Sequence, residues 1–223
     1  MVTEDFPVLV LGTHNAKKKR EMALLLAAEG WELRSLADYP QSLEVEETGT
    51  TFAENARLKA SVQARHLGVW VIGEDSGLEV DALDGRPGIF SARYSDPGAT
   101  DERNNDKLLE ELAGLPLEKR SARYVCHIAL SDAEGNILAE VERNCRGRIL
   151  FERSGHHGFG YDPLFEIVEY HQTFGQLSDT VKSCLSHRAR AMRAFVREIS
   201  RLLPERKPPK EAITSNLTTF RFG

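Results

Sequence analysis

The chain has 223 residues, enough for one large α/β domain or two small ones with a core that needs no disulfide staples. Its 29 basic and 34 acidic residues leave a formal net charge of −5, which argues against a protein that coats a phosphate backbone, and 41% hydrophobic with 28% charged residues is ordinary for a globular domain. No apolar run approaches the roughly 18 to 20 residues of a membrane span, and the three cysteines, Cys126, Cys145 and Cys184, form no CxxC pair, so a transmembrane protein, a disulfide framework and a zinc site are all excluded.

The N-terminus opens with acidic residues and lacks the basic and apolar regions of a secretory signal, so a cytoplasmic protein with no membrane partner is expected. Pro7 to Leu11 is a short continuous apolar run ending at Gly12, the pattern of a strand buried on both faces. Ala16 to Glu29 spaces Met22, Leu25, Leu26 and Glu29 for a helix that Gly30 stops. A second helix is predicted over Thr51 to Leu67, because Phe52, Ala53, Ala56, Ala60, Ala64 and Leu67 fall on one arc. Lys59 lies at the edge of that arc and either snorkels to solvent or points into a site. Gly68 stops the helix, and Val69 to Ile72 reads as a buried strand carrying Gly73, Glu74, Asp75, Ser76 and Gly77 at its carboxyl end, where ligands bind in open α/β sheets.

Thr100 is the expected N-cap of a helix to Ala113, closed by Gly114 and Pro116. Arg123 to Leu130 and Ile137 to Arg146 read as an antiparallel hairpin around the turn residues 132–136. A last helix is capped by Ser186 and buries Met192, Val196, Ile199 and Leu203. The fold class is therefore α/β with a mixed sheet. The compact domain is expected to span residues 1–203, with 204–223, rich in proline and alternating charge, as a flexible C-terminal extension.

Four segments carry chemistry. The loop from Gly12 through Thr13 and Asn15 to Lys18 and Arg20 puts a hydroxyl, an amide and four cations where a helix begins, an anion-binding arrangement that lacks the second glycine of a Walker loop. Glu46 and Glu47 precede one helix while Glu74 and Asp75 end the strand after it, and convergent carboxylates suit Mg²⁺. Gly155 to Pro163 is glycine-rich yet holds Phe159 and Tyr161, which lets backbone approach a flat ligand while a ring stacks on it. Lys182 and the helix start Ser186, His187 and Arg188 repeat the anion-site logic.

In this order the segments resemble the inosine triphosphate pyrophosphatase family, enzymes that hydrolyse non-canonical purine nucleoside triphosphates to the monophosphate and pyrophosphate. The likeness rests on Thr13-x-Asn15-x-x-Lys18, Glu46 to Gly49 with Thr51 and Phe52, Glu54 to Ala56, Lys59 and Ala60, Asp75 to Leu78, Gly85 to Gly88, Ser91 to Tyr94, Gly158 to Pro163, and Ser186 to Arg188. It covers nearly the whole expected domain. It implies a two-lobed fold with a central mixed sheet flanked by helices, an active-site cleft between the lobes, and a homodimer.

Carried over by residue, the resemblance gives Thr13, Asn15 and Lys18 to the triphosphate, Lys59 to its orientation or neutralisation, and Asp75 to the role of general base or metal ligand, with Glu46 as the second acidic ligand of Mg²⁺. Phe159 would stack on the purine, Asp162, Lys182, His187 and Arg188 would line the base and its 6-keto edge, and Ser76, Gly160 and Tyr161 would also touch substrate. Two departures stand out: Glu74 replaces the usual first aspartate of the strand pair, and Val181 replaces an acidic residue before Lys182. Competing readings are a related pyrophosphatase of pyrimidine or modified nucleotides, opposed by the Phe159 and Ser186 to Arg188 segments, and a purine-nucleotide sensor, which would need a broken set where Glu46, Lys59 and Asp75 are all present. A nucleic-acid partner is opposed by the net charge.

Overall fold

Three fully buried apolar residues, Leu9–Leu11, form the first strand (β1), one in from the edge of the sheet, of a computed structural model that describes residues 8–27 and 33–202. The chain continues through α1 (Ala16–Ala27), β2 (Leu33–Ser35), α2 (Phe52–Leu67), β3 (Trp70–Val80), α3 (Asp101–Glu111), the hairpin β4 (Ser121–Ser131) and β5 (Ile137–Ile149), β6 (Phe165–Ile167), β7 (Gln172–Thr173), α4 (Asp179–Leu185) and α5 (His187–Leu202). The seven strands make one open sheet in the order β2-β1-β3-β4-β5-β6-β7. β1 runs parallel to β2 and β3, and every later pairing is antiparallel, so the sheet is mixed as the sequence implies.

Local chemistry accounts for the helix ends. The Thr51 hydroxyl accepts from the Glu54 N–H and Gly68 closes α2 in the left-handed conformation at φ 65°, while Thr100 caps α3 by accepting from the Arg103 N–H. The Ser186 hydroxyl accepts from the Ala189 N–H at 3.2 Å, so the end of α4 is also the cap of α5. The short α4 has no periodic apolar signature and is not foreseen in the sequence. Pro7, Glu29, Gly30, Leu203 and the 204–223 extension lie outside the described residues, as does the side chain of Leu25.

Burial divides the interior. On one face of the sheet α1 and α5 cover Leu9, Leu11, Ile72 and Ile128 with Met22, Leu26, Met192, Phe195 and Ile199. On the other, α2 lays Ala64 against Val10 and Val71. A separate cluster toward the far ends of the long strands joins Leu78, Leu108, Leu112, Phe165 and Phe174. Each large side chain buried this way contributes about 1.5–3 kcal/mol by transfer out of water.

The strand predicted to stop at Ile72 instead runs to Val80, which puts the Gly73 to Gly77 segment in its middle. Two pairings explain this. β1 matches β3 only as far as Leu11↔Ile72, whereas β4 pairs with it continuously from Val71 to Val80. The glycines mark close approach by other segments, not the strand's end. A Cβ on Gly73 would stand 2.2 Å from the Ala56 carbonyl oxygen, and one on Gly77 would stand 2.4 Å from Ser91 Oγ.

Candidate active site

Beyond Ile72 the β1 side of β3 carries no strand partner until an isolated bridge at Glu79, among the described residues, and the acidic pair occupies this bare edge. Because side chains alternate along a strand, Glu74 and Asp75 point to opposite faces. Each meets its own set of cations.

Glu74 faces α1 and α5. Its carboxylate accepts from Lys18 Nζ at 2.8 Å, from Arg188 Nε and Nη2 at 3.2 Å each, and from the Cys126 thiol at 3.4 Å. Burial opposes ionisation of this 2% exposed group, but the Lys18 and Arg188 charges overcome it and hold the carboxyl well below the usual range. The extra methylene of glutamate is spent on spanning both cations.

Asp75 faces α2. Lys59 Nζ donates to its carboxylate at 2.9 Å and to the Glu74 carbonyl at 3.4 Å, and forms an ion pair with Glu47 at 2.9 Å. Asn55, fully buried although it is not among the residues of the predicted apolar arc, donates to Asp75 at 3.3 Å and accepts from the Gly49 N–H at 2.8 Å, so it ties the loop before α2 to the strand. Burial raises the Asp75 pKa above the ordinary aspartate value despite the nearby Lys59 and Lys18. For Lys59 the balance reverses: burial pulls its pKa down, and Asp75 with Glu47 push it up by more. Lys59 therefore points inward as a cation shared by two carboxylates.

On the Glu74 side opens a narrow cleft of about 130 Å³. Asn15, Lys18, Ser76, Phe159, Gly160, Tyr161, Asp162, Lys182, His187 and Arg188 all line it, together with Tyr124 and Asp101. Asn15 caps α1, its Oδ1 accepting from the Lys17 and Lys18 N–H groups at 3.0 and 3.1 Å, and Thr13 Oγ1 accepts from the Asn15 N–H at 3.1 Å. The Phe159 ring is half-buried with Lys182 Nζ 5.0 Å, Lys17 Nζ 5.3 Å and Arg188 Cζ 5.8 Å from its centre. Asp162 steers this loop by accepting from the Phe159 N–H at 2.9 Å and from Lys182 Nζ at 2.7 Å. Burial raises the Asp162 pKa, and Lys182, depressed by burial, is raised overall by Asp162 and Glu21.

Two groups at the cleft floor are equipped for recognition. Arg188 donates to Ser76 Oγ at 2.9 Å through Nη2 and to Glu21 through Nη1, so with the two bonds to Glu74 four of its five N–H donors are engaged and one remains. His187 stacks on Tyr124 at 4.6 Å and 9°, and its Nδ1 has no hydrogen-bond partner among the described residues. Burial, then the Arg188 charge, lower its pKa well below the usual value, so the ring is neutral.

The predicted residues thus fall into two groups divided by β3. Thr13, Glu46, Lys59 and Asp75 do not line the cleft. Glu46 is exposed, and its neighbour Glu47 is the one that meets Lys59. Sequence reasoning missed Glu21, which bridges Lys182 and Arg188 from α1, and Asp101, whose carboxylate accepts from the Gly160 N–H. Glu21 carried a faint signal, lying one turn beyond Lys17 and Lys18 on the same helix. Asp101 in the first turn of α3 reads as an ordinary dipole partner.

Comparison with known proteins adds a second line of support. The family model described as the Ham1 family matches residues 9–198. A dITP/XTP pyrophosphatase of Rhodopirellula baltica is 52% identical over 195 residues, covering 87% of this chain and 94% of its own. One of Bacillus cereus is 45% identical over 197 residues, covering 88% and 96%. Among solved structures, the Staphylococcus aureus Ham1 protein matches with a TM-score of 0.79 and 34% identity over 87% of this chain and 99% of its own.

Proposed function

This chain belongs to the Ham1 family, and on that premise we propose that it is a pyrophosphatase of non-canonical purine nucleoside triphosphates, releasing pyrophosphate from dITP, ITP and XTP and leaving the monophosphate. The observation that carries this reading is the division at β3: a cleft with an aromatic ring and unspent hydrogen-bonding groups on one face, and a buried carboxylate with its lysine on the other. The purine occupies the cleft against Phe159, and the triphosphate runs past the bare edge of β3, between Lys18 and Asn15 on one side and Lys59 on the other. The region between the apolar cluster under α1 and α5 and the one around Phe165 and Phe174 is then the cleft of a two-lobed enzyme.

Asp75 takes the proton of the attacking water, and its raised pKa suits a base working nearer neutrality than an ordinary aspartate. Lys59 holds that carboxylate in place and draws phosphate charge toward it. The donor set also fits Mg²⁺. Asp75 and Glu47 bring hard carboxylate oxygens to the same Lys59 ammonium, with Glu46 next in the chain, and Mg²⁺ takes one or two such carboxylates and completes its shell with water and substrate phosphate. Bound there, Mg²⁺ would offset the charge developing on the phosphates.

Base selectivity follows from the floor of the cleft. The remaining Arg188 donor and the His187 ring meet the 6-keto edge of hypoxanthine or xanthine, and the 6-amino group of adenine leaves a buried donor unpaired, worth about 1–3 kcal/mol or roughly ten- to a hundredfold.

The test is Mg²⁺-dependent hydrolysis of ITP, XTP, dITP, GTP, ATP, dTTP and UTP, with pyrophosphate resolved from orthophosphate. Pyrophosphate from the inosine and xanthosine nucleotides, with ATP and GTP much slower, is the expected result. A pyrimidine preference points to the related group, and binding of ITP without turnover points to a sensor. The resemblance implies a homodimer, which light scattering tests, and the N-terminal sequence leads to the expectation of a cytoplasmic protein, which cell fractionation tests; among the described residues no helix is long and apolar enough to cross a membrane.

A further inference from the structure

We propose that Asp101 and Asn105, on the first two turns of α3, are positioning residues that set the aromatic loop over the base, an inference that rests on the cleft taking a purine nucleotide. Gly160 lies between Phe159 and Tyr161 in that loop, and both of its backbone groups are held by α3. Its N–H donates to Asp101 Oδ2 at 2.9 Å, and its carbonyl accepts from Asn105 Nδ2 at 2.9 Å. The same Nδ2 donates to the Asp101 carbonyl at 2.6 Å, so one amide links the helix backbone to the loop.

Three observations separate this bracket from ordinary packing. Asn105 is 2% exposed and its Oδ1 has no hydrogen-bond partner among the described residues, so the two carbonyls alone orient the amide, and the side chain serves as a donor. Gly160 adopts φ 63° with open space where a Cβ would stand, so its conformation is set by what holds its peptide groups and not by crowding. Asp101 also lies 3.5 Å from Lys17 Nζ, the ammonium found 5.3 Å from the Phe159 ring centre, and thus touches the ring's surroundings from two directions.

Neither residue bonds to Lys18, Lys59 or Asp75, so its influence falls on the nucleoside half of the site. Loss of one such hydrogen bond predicts that Asp101→Ala and Asn105→Leu each raise KM for dITP about five- to tenfold with kcat within about twofold. In calorimetry the Kd of inosine monophosphate rises by the same factor, while inhibition by inorganic tripolyphosphate, which reads the phosphate half, is unchanged. Asp101→Asn keeps an acceptor for the Gly160 N–H and restores the wild-type KM. Asp101 is half-exposed, so if the buried Asn105→Leu variant fails to fold, Asp101→Ala decides alone. Parallel weakening of tripolyphosphate, or unchanged binding of inosine monophosphate, overturns the proposal, as does a wild-type protein that binds no inosine monophosphate. A wild-type protein that binds it but hydrolyses no triphosphate refutes the activity and leaves the bracket to be judged by the two binding measurements.

Discussion

Replacing Glu74 with glutamine removes a buried charge while keeping its volume, and the structure sets the expected cost. The carboxylate is partner to Lys18 at 2.8 Å and to two Arg188 nitrogens at 3.2 Å, and its side chain is 1% exposed. Removing one member of a buried ion pair costs about 3–5 kcal/mol. Arg188 retains Glu21, and Lys18 at 16% side-chain exposure can partly rehydrate, so the low end applies, about 3 kcal/mol. For a chain of 223 residues this lowers Tm by about 6–12 °C.

The effect has a pH signature. Because the Glu74 pKa is lowered in the folded state, its stabilisation is fully present above the unfolded value near 4.5 and is lost as pH falls from there toward the folded value. Glutamine does not titrate. The stability gap between wild type and Glu74→Gln, measured by urea unfolding from pH 8 to pH 3.5, should hold constant down to about pH 5 and then narrow, at a limiting slope of about 1.4 kcal/mol per pH unit. Glu74→Asp keeps the charge and should lose less than the glutamine variant. A glutamine variant as stable as wild type, or a gap that ignores pH, would refute the idea that Glu74 is the counter-ion of Lys18 and Arg188.

Asp75→Asn should lower kcat for dITP about 10²–10⁴-fold with nucleotide affinity retained, and full activity would remove Asp75 from the role of base. In the wild type, kcat/KM should fall as pH drops through an acid limb lying above the ordinary aspartate value, because burial raises Asp75 and only its ionised form accepts a proton. Lys59→Met leaves Asp75 and Glu47 without their shared cation, so that limb should move to higher pH and triphosphate turnover should suffer more than monophosphate binding; equal losses would count against a phosphate role. Arg188→Met should cut the preference for dITP over dATP about ten- to a hundredfold, and unaltered discrimination would assign the 6-position to another group.

The sequence is legible where local chemistry decides. Thr51, Gly68 and Thr100 punctuate helices as their side chains and backbones dictate, and residues 132–136 turn the hairpin. Gly73 and Gly77 misled because a glycine that admits a neighbouring backbone looks, in one dimension, like one that ends a strand. Asn55 and Gln63 are buried polar residues on a face where Ala53 and Leu67 are only partly buried, since their amides secure the chain around Gly49 and Leu43. Lys59 left two readings open in the sequence, and only the arrival of Glu47 and Asp75 from separate segments decides for the inward one. Glu21, beyond its faint helical signal, and Asn105 stayed hidden for the same reason, since the partners that give them a place in the site, Lys182 and Gly160, lie 161 and 55 positions away.

The back-to-back placement of Glu74 and Asp75 also makes strand register a chemical variable. The ladder from Val71↔Ser131 to Val80↔Ala122 fixes which carboxylate meets Lys59 and which meets Arg188. A slip of one residue would carry Glu74 to the Lys59 face and Asp75 to the Arg188 face, so each carboxylate would lose the partners that set its ionisation. The irregularity in β4 and β5 falls between Leu130 and Ser131, clear of the Asp75↔His127 pair. Single-residue insertions between Val71 and Asp75 should therefore be far more damaging to catalysis than side-chain changes of similar size, because they would readdress the acid groups while leaving the hydrogen-bond count of the sheet nearly whole.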